Sequence, residues 1–267
     1  AVSPVQGAVA NTNTRAGVSF SAGKTGADNN TLDLVPTLRA QLTDIVQRLE
    51  LSALGVLDFP YRQGSSVKSL EVPFKVFEEE LVQQVKPMVF LGVGLISSLL
   101  ANDFVSQVVT MKSVTTIILQ THVSPLHVAG DVCFSQPISW INATAEFSSF
   151  EVALQAVASL RSQGYKLRVV LSSTLGVMVY RGKRGSSQPT NVRQECDYSW
   201  MADSDFTCTA GLSSTDESYD NVGLYAYATY HNIDREYFLT WESEQSLKAK
   251  LDLFKDSSDG WALFEAH

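Results

Sequence analysis

The amino-acid sequence predicts an α/β protein built on a parallel sheet. Short β-rich runs alternate with segments of helical periodicity. The run 114–121 is β-branched enough to be a central strand, and the helix after residue 148 carries clear start and stop signals.

In chain order, residues 17–22 read as a strand, and Pro36 sits where a first-turn proline belongs. Leu38, Leu42, Ile45, Val46 and Leu49 then share one helical face. Residues 54–59 read as a short buried strand. Helical spacing returns over 72–85 through Phe74, Phe77, Leu81 and Val85, with Pro87 stopping it ahead of a strand at 88–94. Residues 96–109 have helical spacing, although 96–100 is equally compatible with a continued strand. Ser148 with Glu151 reads as a capping box for a helix through Val152, Ala156, Val157 and Leu160, and Gly164 ends it. After a strand at 167–173, residues 181–220 turn polar and irregular, which predicts short strands or a disulfide-pinned knob. Residues 223–230 and 237–241 are aromatic-rich strand candidates. Ser243 caps a helix with Leu247, Leu251 and Phe254 on one face, and 261–265 closes as a strand.

With 267 residues, 45% hydrophobic and 18% charged, the chain can bury a large core, which excludes a disordered or fibrous protein. A net charge of -8 argues against nucleic acid or an anionic membrane as the main partner. The longest apolar run, 88–100, is broken by Gly92, Gly94, Ser97 and Ser98 and falls short of the roughly 18 residues a membrane span needs. Cys196 and Cys208 are close enough to close one loop, leaving Cys133 odd. Sequons at Asn29 and Asn142, in polar stretches, agree with a secreted, extracellular glycoprotein.

The stretch Ala53-Leu54-Gly55-Val56-Leu57-Asp58-Phe59-Pro60-Tyr61, the helix, glycine turn and strand of 152–171, and the segments 241–250 and 260–265 together resemble family 18 of the glycoside hydrolases, the chitinases and chitinase-like lectins. The resemblance runs from about Ala16 to His267 and implies a TIM-type (β/α)8 barrel. That family's fourth strand carries Asp-x-x-Asp-x-Asp-x-Glu followed by Tyr. If Tyr61 holds the Tyr position, Asp58 matches the last Asp, Ala53 and Val56 replace the other two, and Pro60 stands where the catalytic Glu belongs. Phe59 and Phe264 stand where the family has tryptophans, and Leu119-Gln120-Thr121-His122 replaces a strand ending Met-Thr-Tyr-Asp. Substrate-assisted glycosidases need a carboxylic acid at the scissile oxygen, and proline has no side-chain proton to give. The resemblance therefore implies a catalytically degenerate protein, a pseudoenzyme with no catalytic residue.

If residues 17–22 are the family's third strand, the 16 residues before them form only an irregular N-terminal segment, too short for two βα units of roughly 30 residues each. The barrel domain, 17–267 with 180–222 as a disulfide-pinned excursion, is then expected to lack its first two units. A second chain completing the barrel is one way to cover the open edges, and Cys133 would suit a bridge to it.

Aromatic residues mark the candidate ligand site: Tyr61, Trp140, Trp200 and Trp261, with Tyr225 and Tyr227, could stack on the apolar faces of sugars. Trp140 and Trp200 stand out because both lie in polar segments. His122 and His127 lack the third and fourth ligands that zinc requires, so no metal is expected, and His122 reads as a rim residue in a polar pocket. Gly92-Val93-Gly94 lacks the rest of a dinucleotide fingerprint and reads as close strand packing; no cofactor is expected. The acidic residues around 195–220 have no EF-hand spacing. Ser172, Ser173 and Cys133 lack a nucleophile elbow. Residues 181–185 form a basic cluster suited to a sulfated glycan, an acidic protein or a protease. The expected function is binding, to a glycan or a protein. An interaction subunit of a multi-chain assembly is the alternative, ahead of an altered enzyme using Asp58, His122, Asp131 or Glu265.

Overall fold

A computed structural model describes residues 17–21, 31–59, 61–84, 86–123, 133–144, 147–166, 168–183, 191–209, 217–232 and 235–264. Among them, six strands form one parallel sheet: β1 (Gly17–Ser21), β2 (Ala53–Phe59), β3 (Met88–Gly94), β4 (Thr116–Gln120), β6 (Arg168–Thr174) and β13 (Trp261–Phe264), side by side in chain order. The helices α1 (Thr31–Leu49), α2 (Glu71–Leu81), α3 (Ser98–Val108), α4 (Phe150–Ser162) and α6 (Glu244–Phe254) connect them.

Every one of these helices contributes to a single core with the same face of the sheet, through Leu42, Phe77, Phe104, Leu160 and Phe254 against Leu54, Leu91, Leu119 and Leu171. A doubly wound sheet reverses its strand order and places helices on both faces. Consecutive order with helices on one side is the geometry of a curled half-barrel, consistent with part of a TIM barrel.

The inner face is a smaller apolar cluster of Ala53, Phe90, Ile118 and Val170 with Leu57, Met88, Ala262 and Phe264. Here the glycines have a job. A Cβ on Gly55 would fall 2.1 Å from the Phe90 carbonyl oxygen and 2.5 Å from its ring, and one on Gly92 would fall 2.9 Å from the Leu57 side chain. Phe90 thus lies over Gly55 and Leu57 over Gly92, the close strand packing expected of the Gly92 segment.

Between β6 and α6 the chain builds a second, antiparallel sheet in the order β10-β11-β12-β7-β9. Its strands are β7 (Val177–Arg181), β9 (Tyr198–Ala202), β10 (Ser218–Asp220), β11 (Tyr225–Asn232) and β12 (Arg235–Trp241); the short helix α5 (Phe206–Thr209) follows β9. Within the excursion expected at 180–222, the described residues supply β9, α5 and β10, and the sheet they join runs on to β12. β5 (Cys133–Phe134) pairs with β8 (Glu195–Cys196) apart from both sheets.

Several sequence expectations need correction. The disulfide joins Cys133 to Cys196, leaving Cys208 free and exposed, because the β5–β8 pairing sets Cys133 directly opposite Cys196. Helix α1 begins at Thr31, so Pro36 lies in its second turn rather than its first. Helix α2 stops at Leu81, ahead of Val85. The cap of α4 is Ser149, whose hydroxyl accepts from the Val152 N–H at 3.2 Å; the Glu151 carboxylate instead accepts from the Ala143 N–H at 2.7 Å. Gly164 ends that helix as expected, with φ +76°. In α6 the buried residues are Ser246, Lys250 and Phe254, while Leu251 is exposed. Ser243 caps α6, its hydroxyl accepting from the Ser246 N–H at 3.2 Å.

Candidate binding site at the strand C-termini

Along β4 and β6 the inner face changes character. Ile118 gives way to Gln120 two residues on, and Val170 to Ser172 and Thr174. Alternation keeps these side chains on one face, so the C-terminal ends carry a polar tier above the apolar one. His122 follows directly and is 3% exposed. Its Nδ1 shares a 2.9 Å hydrogen bond with the Ser172 hydroxyl, and its ring lies 4.5 Å from that of Phe264 on β13, the strand beyond β6. The Thr121 N–H also donates to the Ser172 hydroxyl at 3.2 Å, and the Thr121 hydroxyl donates to the Ser172 carbonyl. These bonds stitch β4 to β6 where the ladder ends. The expected polar partner of His122 is present, but the side chain is buried against Phe264 rather than placed on an open rim.

Behind this tier lies an ion pair that the sequence reading missed. Glu242, just past β12, and Lys250, two turns into α6, are both 0% exposed at their side chains. The Lys250 ammonium donates to both Glu242 carboxylate oxygens, at 2.6 and 2.7 Å, and to the Ser139 hydroxyl at 2.5 Å. The Ser246 hydroxyl donates to Glu242 at 2.8 Å. Burial pulls the Lys250 ammonium below its ordinary range, against the opposing pull of Glu242. The Ser139 backbone bridges to His122, so the pair anchors the loop behind the histidine. A lysine on the buried face of α6, eight residues from a glutamate, was the available signal.

The candidate ligand residues do not converge. Tyr61 is 2% exposed; its hydroxyl donates to Asp103 at 2.6 Å and accepts from Gln107 at 2.8 Å, and its ring packs edge-on to Phe104. Burial first, then the Asp103 carboxylate, pushes its pKa up. Trp261 stacks on Phe150 at 5.7 Å on the helix side of the sheet. Trp140 stacks on Phe147 at 6.0 Å and has the Arg193 guanidinium 5.1 Å over its ring. Tyr225 and Tyr227 join Met178, Tyr180 and Phe238 on the face of the antiparallel sheet that packs on Val123 and Ile138. Trp200 lies on the opposite face of that sheet.

Of the degenerate-signature residues, Ala53 faces the inner cluster and Val56 the helix core, so the two flank opposite sides of β2. The register against β3 shifts between Val56 and Phe59. Pro60, the Asp58 side chain, His127, Asp131, Glu265 and Asn29 lie outside what the structure describes, whereas Asn142 is exposed. In the basic cluster, Arg181 pairs with Asp197 at 2.8 Å and Lys183 with Glu195 at 2.6 Å.

The architecture matches solved structures across most of the chain. The spore cortex-lytic enzyme SleL of Bacillus megaterium superposes with a TM-score of 0.57 at 12% identity, covering 93% of this chain and 55% of that one. A family 18 N-acetylglucosaminidase from Paenibacillus barengoltzii gives 0.58 at 11% identity, over 85% of this chain and 69% of that chain. The class V chitinase of Nicotiana tobaccum, in complex with NAG4, gives 0.56 at 9% identity, over 93% and 75%.

The fold is chitinase-like.

No protein-family model and no curated protein matches the sequence. The chain spans just over half the length of SleL. No helix among the described residues is long and apolar enough to cross a membrane.

Proposed function

We propose that this chitinase-like protein is secreted and acts by binding an N-acetylated glycan rather than by cleaving it. The observation that carries the reading is the polar tier at the C-terminal ends of the parallel strands, where active sites of (β/α) barrels sit. Gln120, His122, Ser172 and Thr174, each no more than 3% exposed, line this end with amide, imidazole and hydroxyl groups beneath its surface, and Phe264 adds a ring. Such groups suit the hydroxyls and acetamido groups of a sugar. The absence of cleavage is inferred from Pro60 at the position of the family's proton donor. The test is calorimetric titration with N-acetylchitohexaose alongside a product assay. Saturable binding without released sugar is expected, and release abolished by Asp58→Asn would overturn the non-catalytic reading.

One observation favours a second reading, that of an interaction subunit. On β13 the helix-side residue Leu263 is 53% exposed, whereas Leu171 opposite Trp261 on the adjacent strand is fully buried. Strand β13 ends the sheet, and a further strand and helix from another polypeptide would cover Leu263. A native mass equal to that of one chain would count against it.

A further inference from the structure

Trp140 opens the stretch Trp140-Ile141-Asn142-Ala143-Thr144, an acceptor sequon for asparagine-linked glycans with an aromatic residue two positions before the asparagine. The loop is pinned to the start of α4. The Trp140 and Ile141 carbonyls accept from the Phe150 and Glu151 N–H groups, both at 2.9 Å, and the Ala143 N–H donates to the Glu151 carboxylate at 2.7 Å. The Thr144 hydroxyl accepts from the Phe147 N–H at 2.9 Å and donates to the Phe147 carbonyl at 3.2 Å. The Asn142 side chain is the exception: it is exposed and makes no hydrogen bond among the described residues.

The rings next to that amide keep apolar surface in water. Trp140 and Phe147 stack with 6.0 Å between centroids and 6° between planes, a slipped arrangement that leaves part of each face outside the overlap. Both are half-buried, and the Arg193 guanidinium adds hydrogen-bond donors 5.1 Å from the Trp140 ring centroid. An apolar platform edged by donors matches the C–H face and acetamido oxygen of an N-acetylated sugar. A sugar attached two residues away reaches it at high effective concentration, so a contact too weak to hold a free ligand suffices.

We propose that Asn142 carries an asparagine-linked oligosaccharide whose first N-acetylated sugar rests on Trp140 and Phe147. The proposal rests on the secretion reading above, because this modification takes place in a secretory compartment, and it gives Trp140 a sugar fixed to its own chain in place of an external ligand. In the transfer step the Asn142 Nδ2 attacks the anomeric carbon of an oligosaccharide carried on a polyprenyl diphosphate. A C–N bond forms as the C–O bond to the diphosphate breaks; the amide gives up one proton, the diphosphate leaves as its anion, and no oxidation state changes. The folded loop then holds the bulky product at the surface.

The test recovers the chain from its source cells and from their medium and measures peptide masses before and after treatment with peptide N-glycosidase. No lysine or arginine lies between residues 113 and 160, so trypsin leaves Asn142 on a peptide separate from Asn29. The expected result is chain in the medium with a glycan on Asn142, absent from Asn142→Gln and Thr144→Ala. Secreted chain bare at Asn142 overturns the proposal and leaves the secretion reading standing. Chain confined to the cells overturns that reading alone if Asn142 is glycosylated, and both if it is bare. The platform has its own readout. Enzymatic removal of the glycan is expected to raise the unfolding equilibrium constant about fivefold in the original chain, the size of one aromatic contact, and by less than about twofold in Trp140→Leu. Each chain is compared with its own deglycosylated form, so the packing lost with Trp140 cancels. Equal effects in the two chains overturn the contact with Trp140, and should Trp140→Leu fail to fold, an unchanged constant in the original chain overturns it just the same.

Discussion

On the helix side of the parallel sheet, Ile117, Leu119, Val169 and Leu171 are all sealed under helices, whereas the outer face of the antiparallel sheet leaves Trp200, Tyr230 and Tyr237 only partly covered. Both surfaces are apolar. The first lies wholly under the helices and so serves packing alone, and aliphatic side chains suffice. The second meets water, where aromatic rings with polar tips are tolerated and remain available for contact. The difference separates a scaffold from a surface built on it, with Glu242 and Lys250 at the junction.

That junction gives the largest expected effect. Lys250→Met alone leaves the Glu242 carboxylate buried without its partner and should cost about 3–5 kcal/mol of unfolding free energy, most of which returns when Glu242→Leu is added. Denaturant melts of the single and double variants check it; a single variant as stable as the original chain would mean the two sheets are not joined through this pair.

The disulfide sharpens the contrast. Replacing Cys133 and Cys196 by Ser should cost about 2–5 kcal/mol, and amide exchange should accelerate more in β7 and β9, near the bond, than in β3 and β4. Equal acceleration in both sheets would erase the distinction between scaffold and attachment.

The smallest effect is at the opposite end of the parallel sheet. Asp259 accepts from the Val169 N–H at 2.7 Å and from Arg161, and these contacts outweigh the upward push of burial to hold its carboxyl below the ordinary range. A lowered carboxyl pKa stabilises the fold at pH values above the unfolded value of about 3.9, and that contribution fades as pH falls through the lower folded value. Asp259→Asn should cost about 1 kcal/mol at pH 7, discounted for partial exposure, with the gap closing in acid. A gap that stays constant down to strong acid would show that Asp259 acts through shape alone.

The parallel sheet was legible because buried strands and amphipathic helices write strong periodicities: all six of its strands read directly from runs such as 88–94, which β3 reproduces residue for residue. The antiparallel sheet was only half legible. Its β11 and β12 showed as aromatic runs, but β9 and β10 lie in polar sequence whose strands are made by partners distant along the chain. The Cys133–Cys196 bond was hidden for the same reason, since proximity in sequence favoured Cys208. At the site, His122 was readable as a polar residue ending an apolar strand. Lys250 was not, because a lysine on a helix reads as solvent-facing until its carboxylate partner is located. Trp200 stood out in the sequence, although its place on the inserted sheet required the register of four strands.

The bond between Cys133 and Cys196 encloses 63 positions of separation, and both α4 and β6 fall inside that ring. The basic stretch from Arg181 to Arg184 falls inside it as well. A trypsin-like cut there would open the ring without releasing a fragment, so the nicked chain would migrate as one species on a gel until a reductant parted it in two.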